Sequence, residues 1–166
     1  MMEVLFKERQ KFRQWWLWAI LVVASLLAIW PMYIANEHLV WPVILPILIL
    51  TSSMLLLFYV MELRTMVKTD GIYYQFYPIH FKYKKVTWDD LESFYIRKYN
   101  PIKEYGGWGI RFGFNGKAYN VSGDMGLQLT YKNGKKLLLG TQKPGELDSI
   151  IEDLKLDLDL QKHTEN

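Results

Sequence analysis

The stretch QWWLWAILVVASLLAIWPMYIANEHLVWPVILPILILTSSMLLLFYVM, residues 14–61, decides the fold prediction. It contains two runs without a charged residue, 23 residues from 14 to 36 and 24 residues from 38 to 61, with Glu37 between them. A bilayer core of roughly 30 Å is crossed by about 20 apolar residues in a helix. The sequence therefore predicts a two-helix transmembrane hairpin over residues 14–61.

This stretch has two other structural interpretations. The first run follows a basic segment, residues 1–13, and could be a cleaved signal peptide. It is longer than a signal-peptide core, and Tyr33-Ile34-Ala35 does not give the small-x-small pattern of a cleavage site. Two buried core helices are the other option, but apolar residues surround both runs on all faces. A chain of this length cannot enclose two such helices, so we expect the hairpin.

The residues at the ends of the two runs predict how the hairpin is oriented. Lys and Arg are concentrated before residue 14 and after residue 62, whereas the turn Asn36-Glu37-His38 has neither. The positive-inside rule then places both termini in the cytoplasm. Amphipathic rings favour the membrane interface. The expected interface anchors are Trp15, Trp16, Trp18, Trp30, Tyr33 and Trp41.

The polar content of the two runs favours anchoring over conduction. Neither run contains an ionisable residue of the kind that marks an ion path, and their hydroxyls, at Ser25 and residues 51–53, commonly bond to their own helix. Two helices cannot enclose a pore. An oligomeric channel or transporter subunit, with the remaining domain as gate or assembly module, is the alternative.

The residues after the hairpin predict a small β-rich domain. Asp70-Gly71, Asn115-Gly116 and Asn133-Gly134 are tight-turn dipeptides between apolar runs, which predicts about seven short antiparallel strands in a sandwich or barrel. A C-terminal helix should follow, because apolar residues recur at helical spacing. Its stripe is Leu147, Ile150, Ile151, Leu154 and Leu158. The predicted divisions are an interfacial arm, 1–13; the hairpin, 14–61; the β domain, 62–158; and a tail, 159–166.

Three stretches carry a resemblance to a known family. They are Thr69-Asp70-Gly71-Ile72, the run from Val86 to Leu91, and the segment from Gly126 to Leu147. The chain from about Lys68 to Leu154 resembles the bacterial pleckstrin-homology-like domains. Its whole layout is similar to small bacterial membrane proteins with two transmembrane helices and such a domain. The resemblance implies a barrel of about seven antiparallel strands closed by the C-terminal helix, in a multi-pass protein of the bacterial inner membrane. It supplies no catalytic residues.

Composition argues against several classes of chemistry. There is no cysteine, which excludes disulfides and thiolate metal sites, and the three histidines lie far apart in sequence. Gly106-Gly107-Trp108-Gly109 lacks the Lys-Ser/Thr pair of a phosphate-binding loop, and Asp89-Asp90 reads as a turn. We therefore expect no enzyme, no cofactor and no metal site.

Charge is distributed unevenly along the β domain. Residues 62–143 hold 14 Lys and Arg against 7 acids, and residues 144–166 hold 2 against 7. The basic groups predict contact with anionic lipid or a partner, with a merely solvated face as the alternative. The sequence favours a binding or scaffold module for a protein partner or a second copy, with secondary lipid contact and no nucleic acid or small-molecule substrate. The candidate contact residues are Lys82, Lys84, Lys85, Arg97, Lys98, Lys132, Lys135 and Lys136.

Overall fold

The computed structural model describes residues 3–13, 15–34 and 41–164. The turn Asn36-Glu37-His38, the side chains of Tyr33 and Trp41, and the last two residues of the expected tail lie outside the description. The chain forms two compact units. One comprises residues 1–10 and 62–166 and is called the sheet unit. The other comprises residues 11–61 and is called the helix unit.

The helix unit contains two helices of 20 residues, α1 (Trp15–Ile34) and α2 (Trp41–Val60). Their hydroxyls bond back to their own helix, as expected from the sequence. Ser25 Oγ donates to the Leu21 carbonyl at 2.7 Å, and Thr51 Oγ1 donates to the Ile47 carbonyl at 2.9 Å. The rings of Phe12 and Phe58 meet edge to face with centroids 5.6 Å apart.

Over the residues that the structure describes, no helix combines the length and the hydropathy needed to cross a membrane. This finding contradicts the predicted transmembrane hairpin and the multi-pass inner-membrane location, and both are corrected accordingly. The prediction counted uncharged runs of 23 and 24 residues, whereas each helix within them has 20 residues and α2 includes Pro46. Of the expected interface anchors, Trp15, Trp16, Trp18 and Trp30 lie on α1.

The first sheet of the sheet unit has four strands. They are β1 (Val4–Lys11), β2 (Glu62–Lys68), β3 (Gly71–Tyr77) and β4 (Lys84–Val86), in the order β1-β2-β3-β4. The hairpin expected at Asp70-Gly71 forms, with Val67 opposite Ile72. Strand β1 lies within the stretch expected to form an interfacial arm, and its side chains alternate between buried and exposed positions as in a strand.

The second sheet has five strands. The short helix α3 (Pro101–Tyr105) lies in the connection between the first two of them along the chain. The strands are β5 (Leu91–Lys98), β6 (Gly109–Gly113), β7 (Gly116–Asn120), β8 (Met125–Tyr131) and β9 (Lys136–Thr141), in the order β5-β8-β9-β7-β6. Strands β7 and β9 are parallel neighbours, and every other pair in this sheet is antiparallel.

The two sheets are open, which contradicts the predicted pleckstrin-homology-like barrel of about seven antiparallel strands. The described residues form nine strands divided between the sheets. Local turn signals predicted each hairpin correctly, but they cannot show which hairpins pair with one another. They missed the parallel contact of β7 with β9, the antiparallel contact of β5 with β8 and the addition of β1 to the first sheet.

The predicted C-terminal helix forms as α4 (Pro144–Thr164), but it does not close a barrel. It packs against β5 and buries Leu147, Ile151 and Leu154. The core of the sheet unit consists of apolar side chains with almost no exposed surface, each contributing about 1.5–3 kcal/mol on burial. Its largest members are Phe6, Leu63, Ile72, Phe76, Tyr119, Leu127, Leu129, Leu138 and Leu139.

Candidate binding site at the strand tips

The parallel pairing of β7 and β9 brings two hairpin turns to one end of the second sheet. Lys117 on β7 lies opposite Leu137 on β9, so both strands start at the same edge. The turn before β7 joins it to β6, where Gly113 lies opposite Gly116. The turn before β9 includes Gly134, whose φ is +78°. Residues far apart in sequence therefore line one edge.

Gly116 allows the two turns to approach closely. Its φ is +92°, and a Cβ atom there would lie 2.3 Å from the carbonyl oxygen of Lys136. Glycine adopts this left-handed backbone without strain and, because it has no Cβ atom, leaves room for the neighbouring strand. The backbone of β7 therefore meets the start of β9 directly.

A cavity of about 520 Å³ lies between the two turns. We call it the tip pocket. Two phenylalanines, three lysines and three glycines line it, which gives apolar walls, positive charge and accessible backbone. The lining residues are Phe112, Gly113, Phe114, Gly116, Lys117, Gly134, Lys135 and Lys136.

Aromatic rings hold the Lys117 ammonium in place. Its Nζ atom lies 4.8 Å from the centroid of the Phe112 ring and 4.9 Å from that of the Tyr119 ring. Each ring face attracts a cation electrostatically. Because Tyr119 is fully buried in the core, Lys117 has a fixed neighbour on one side. The pocket thus contains a positioned cation.

The other groups of the tip pocket are exposed. Phe112 is 77% exposed and Phe114 is 103% exposed, which is unusual for side chains of this size. Lys135 and Lys136 are also exposed. Within the described part of the chain, no ion pair includes Lys117, Lys135 or Lys136. Their charges are available to an external anion.

A cluster of rings contacts Tyr119, the buried neighbour of Lys117. Tyr119 lies 5.0 Å from Tyr74 and 5.5 Å from His80, measured between ring centroids. Burial, together with Tyr119 and Tyr131 nearby, raises the pKa of Tyr74 well above its ordinary value. Burial also lowers the pKa of His80, with Lys84 and Lys117 adding to the effect. The Tyr119 ring that neighbours Lys117 is therefore itself packed against other rings.

The predicted contact residues fall into two groups. Lys135 and Lys136 line the tip pocket, and Lys132 lies at the end of β8 in the same connection. Lys82 precedes β4, and Lys84 is its first residue; both are exposed. These five of the eight are exposed and, among the described side chains, form no ion pair; their contact with a partner stays a prediction.

The remaining three predicted residues are held by internal pairs. Lys85 Nζ lies 2.6 Å from an Asp70 carboxylate oxygen. Lys98 Nζ lies 3.1 Å from Asp124, although both groups are largely exposed. Arg97 Nη2 donates to Glu104 at 2.8 Å and its Nε donates to Gln128 at 3.0 Å, which ties α3 to the sheet.

Sequence reasoning missed Lys117, Phe112 and Phe114 as site residues. The Asn115-Gly116 turn marked the hairpin that carries them. Nothing local indicated that this turn would lie beside the Asn133-Gly134 turn, because the two are joined by parallel pairing.

The other motifs have structural roles. Asn100 caps α3 by accepting hydrogen bonds from the backbone of Ile102 and Lys103, and Gly106 ends the helix at φ +70°. Asp90 accepts from Thr87 Oγ1 at 2.6 Å, and this bond lowers the Asp90 pKa. In the part of the chain open to description, no group of three or more His, Cys, Asp or Glu residues is placed to hold a metal ion.

The comparisons with known proteins identify no relative. No family model matches the chain, and neither a curated protein nor a solved structure is significantly similar to it. The resemblance to bacterial pleckstrin-homology-like proteins therefore stays a prediction, and the function is argued from the tip pocket.

Proposed function

We propose that the chain is a non-catalytic binding module that holds an acidic segment of a protein partner in the tip pocket. The observation that carries the proposal is the Lys117 ammonium 4.8 Å from the Phe112 ring centroid and 4.9 Å from the Tyr119 ring centroid, beside two exposed lysines. A cation held in place loses less conformational freedom when it pairs with a carboxylate.

The shape and composition of the pocket support a protein segment as its occupant. Exposed aromatic side chains are enriched at protein interfaces, where one ring can fill a pocket of the partner. Phe112 and Phe114 supply such rings, and the cavity accepts side chains from the other partner. Acidic motifs are recognised by clusters of cations. A segment carrying carboxylates next to an apolar side chain matches both features.

Binding of a labelled acidic polymer to the full chain tests this proposal. The probe is a fluorescein-labelled copolymer of glutamate and tyrosine, followed by fluorescence anisotropy. The tip variant, Lys117→Gln/Lys135→Gln/Lys136→Gln, should bind about threefold to a hundredfold more weakly, since three exposed charge pairs are each worth about 0.2–1 kcal/mol. Added salt should weaken binding of the unaltered chain.

The matched control removes three charges elsewhere. The control variant, Lys7→Gln/Lys11→Gln/Lys103→Gln, removes three exposed charges, has the same net charge as the tip variant and should bind the copolymer as tightly as the unaltered chain. Equal losses in both variants would show attraction to net charge alone and overturn the proposal. Binding to anionic vesicles but not to the copolymer, lost only in the tip variant, would replace the protein partner with lipid.

A further inference from the structure

Helix α4 carries an acidic outer face. Glu152, Asp153 and Asp157 are exposed, and Leu156 between them is 65% exposed. Residues three and four apart share one side of a helix, so these four groups form one surface, called the acidic face. The basic residue within this turn of helix, Lys155, has its Nζ 5.5 Å from the Phe94 ring.

The acidic face has no described counter-charge. Among the residues whose side chains are described, no ion pair includes Glu152, Asp153 or Asp157. An exposed leucine among unpaired carboxylates has the chemistry that the tip pocket accepts, namely negative charge beside an apolar group. The two surfaces are complementary in charge and in apolar character.

The packing of α4 separates the two surfaces within one chain. Leu147, Ile151 and Leu154 fix α4 against β5. Strand β5 is one edge of the second sheet, whereas the tip pocket lies at the turns that precede β7 and β9, nearer the opposite edge formed by β6. Moving α4 to the pocket of its own chain would expose those three core side chains to water.

We infer that the acidic face of one copy of this chain docks in the tip pocket of a second copy. This inference rests on the proposed function and names the partner that the pocket takes. Leu156 contacts the rings of Phe112 and Phe114, while the carboxylates pair with Lys117, Lys135 and Lys136. The contact is head-to-tail, because each copy contributes a different surface.

Head-to-tail contact leaves one pocket and one acidic face open in every pair. Copies therefore add until a ring closes or a chain grows, and the mean mass rises with concentration. Salt should reduce the mass, because the contact depends on exposed charges.

The test measures the mass of the full chain by sedimentation velocity as concentration increases. It compares the tip variant with a face variant, Glu152→Gln/Asp153→Asn/Asp157→Asn. Each should associate about threefold to a hundredfold more weakly than the unaltered chain. A mixture of the two should form a one-to-one pair and grow no further, because it offers one intact pocket and one intact face.

A second variant controls for the loss of negative charge. Glu3→Gln/Asp89→Asn/Glu92→Gln removes three exposed acids elsewhere and should associate as the unaltered chain does. Failure of the mixture to pair would overturn the inference, as would an unaltered chain that stays monomeric. If the tip variant alone loses copolymer binding while the face variant still associates, the proposed function stands and the inference is overturned, because the acidic face is not what the pocket holds.

Discussion

The side-chain amide of Gln10 donates a hydrogen bond to the carbonyl oxygen of Gly140 across 2.6 Å, although the two residues are 130 positions apart. Glu8, two residues earlier on β1, accepts bonds from Thr141 Oγ1 at 2.7 Å and from the Gln142 amide at 2.8 Å. Glu8 is only 6% exposed. Buried polar groups of β1 therefore attach it to the end of β9, which belongs to the other sheet.

Replacing Thr141 with valine should weaken this attachment. Valine has nearly the same shape but removes the hydroxyl that donates to Glu8, and a buried carboxylate that loses a donor destabilises the fold by about 1–3 kcal/mol. Urea unfolding of the full chain measures the loss. Thr141→Ser keeps the hydroxyl and should recover most of the stability. A Thr141→Val chain as stable as the unaltered one would show that the bond contributes nothing.

The Arg97–Glu104 pair should make stability depend on pH in the acid range. The hydrogen bond from Arg97 lowers the pKa of Glu104 below its ordinary value of 4.5 in the folded chain. The unfolded chain thus takes up this proton at higher pH than the folded chain does. The stabilisation is complete above about pH 4.5 and disappears as pH falls through the lowered pKa.

Comparison with Glu104→Gln isolates this effect from other carboxylates. The variant should be less stable by about 1–2 kcal/mol at pH 7, where the charge-assisted bond is intact. The difference in unfolding free energy between Glu104→Gln and the unaltered chain should shrink as the pH falls toward about 3, because an ordinary carboxyl group titrates at about pH 4. Glu92→Gln, which removes an exposed carboxylate outside this pair, is the control and should change the unfolding free energy little. A constant difference for Glu104→Gln would contradict the pairing.

Gly116 and Gly134 offer a matched test of the close approach at the tip pocket. Both have positive φ, so alanine at either position costs about 1–2 kcal/mol for the left-handed backbone. A Cβ atom at Gly134 has nothing within 4 Å, whereas one at Gly116 lies 2.3 Å from the Lys136 carbonyl. Gly116→Ala should be less stable than Gly134→Ala by about 1–3 kcal/mol, because β7 must shift to make room for the Cβ atom. It should also weaken copolymer binding more. Equal effects in urea unfolding would refute the close contact.

The turns of the sheet unit were predictable because turn chemistry is local. Asp70-Gly71, Asn115-Gly116 and Asn133-Gly134 each lie at a connection between antiparallel strands, as predicted. The stripe of α4 was predictable for a similar reason, since Leu147, Ile151 and Leu154 recur at helical spacing and are buried. These features depend on residues within a few positions of one another.

The features that were missed depend on distant residues. Glu8 and Gln10 are polar, so the local sequence gives no sign that they face inward on β1. Their buried positions are satisfied by hydrogen bonds to Gly140, Thr141 and Gln142, which lie about 130 positions away. Likewise, the tip pocket exists because β7 pairs with β9 across the sheet order. Three of its site residues were therefore overlooked, although both turns had been recognised.

The discontinuity of the sheet unit fixes the order in which its parts become available during synthesis. Strand β1 leaves the ribosome about 130 residues before Gly140, and the whole helix unit is made in between. At about 5–20 residues per second, that interval lasts on the order of 7–26 s. Throughout it, the buried face of β1 has none of its final partners from β9. The polar attachment of β1 to β9 is thus among the last contacts of the fold that can form.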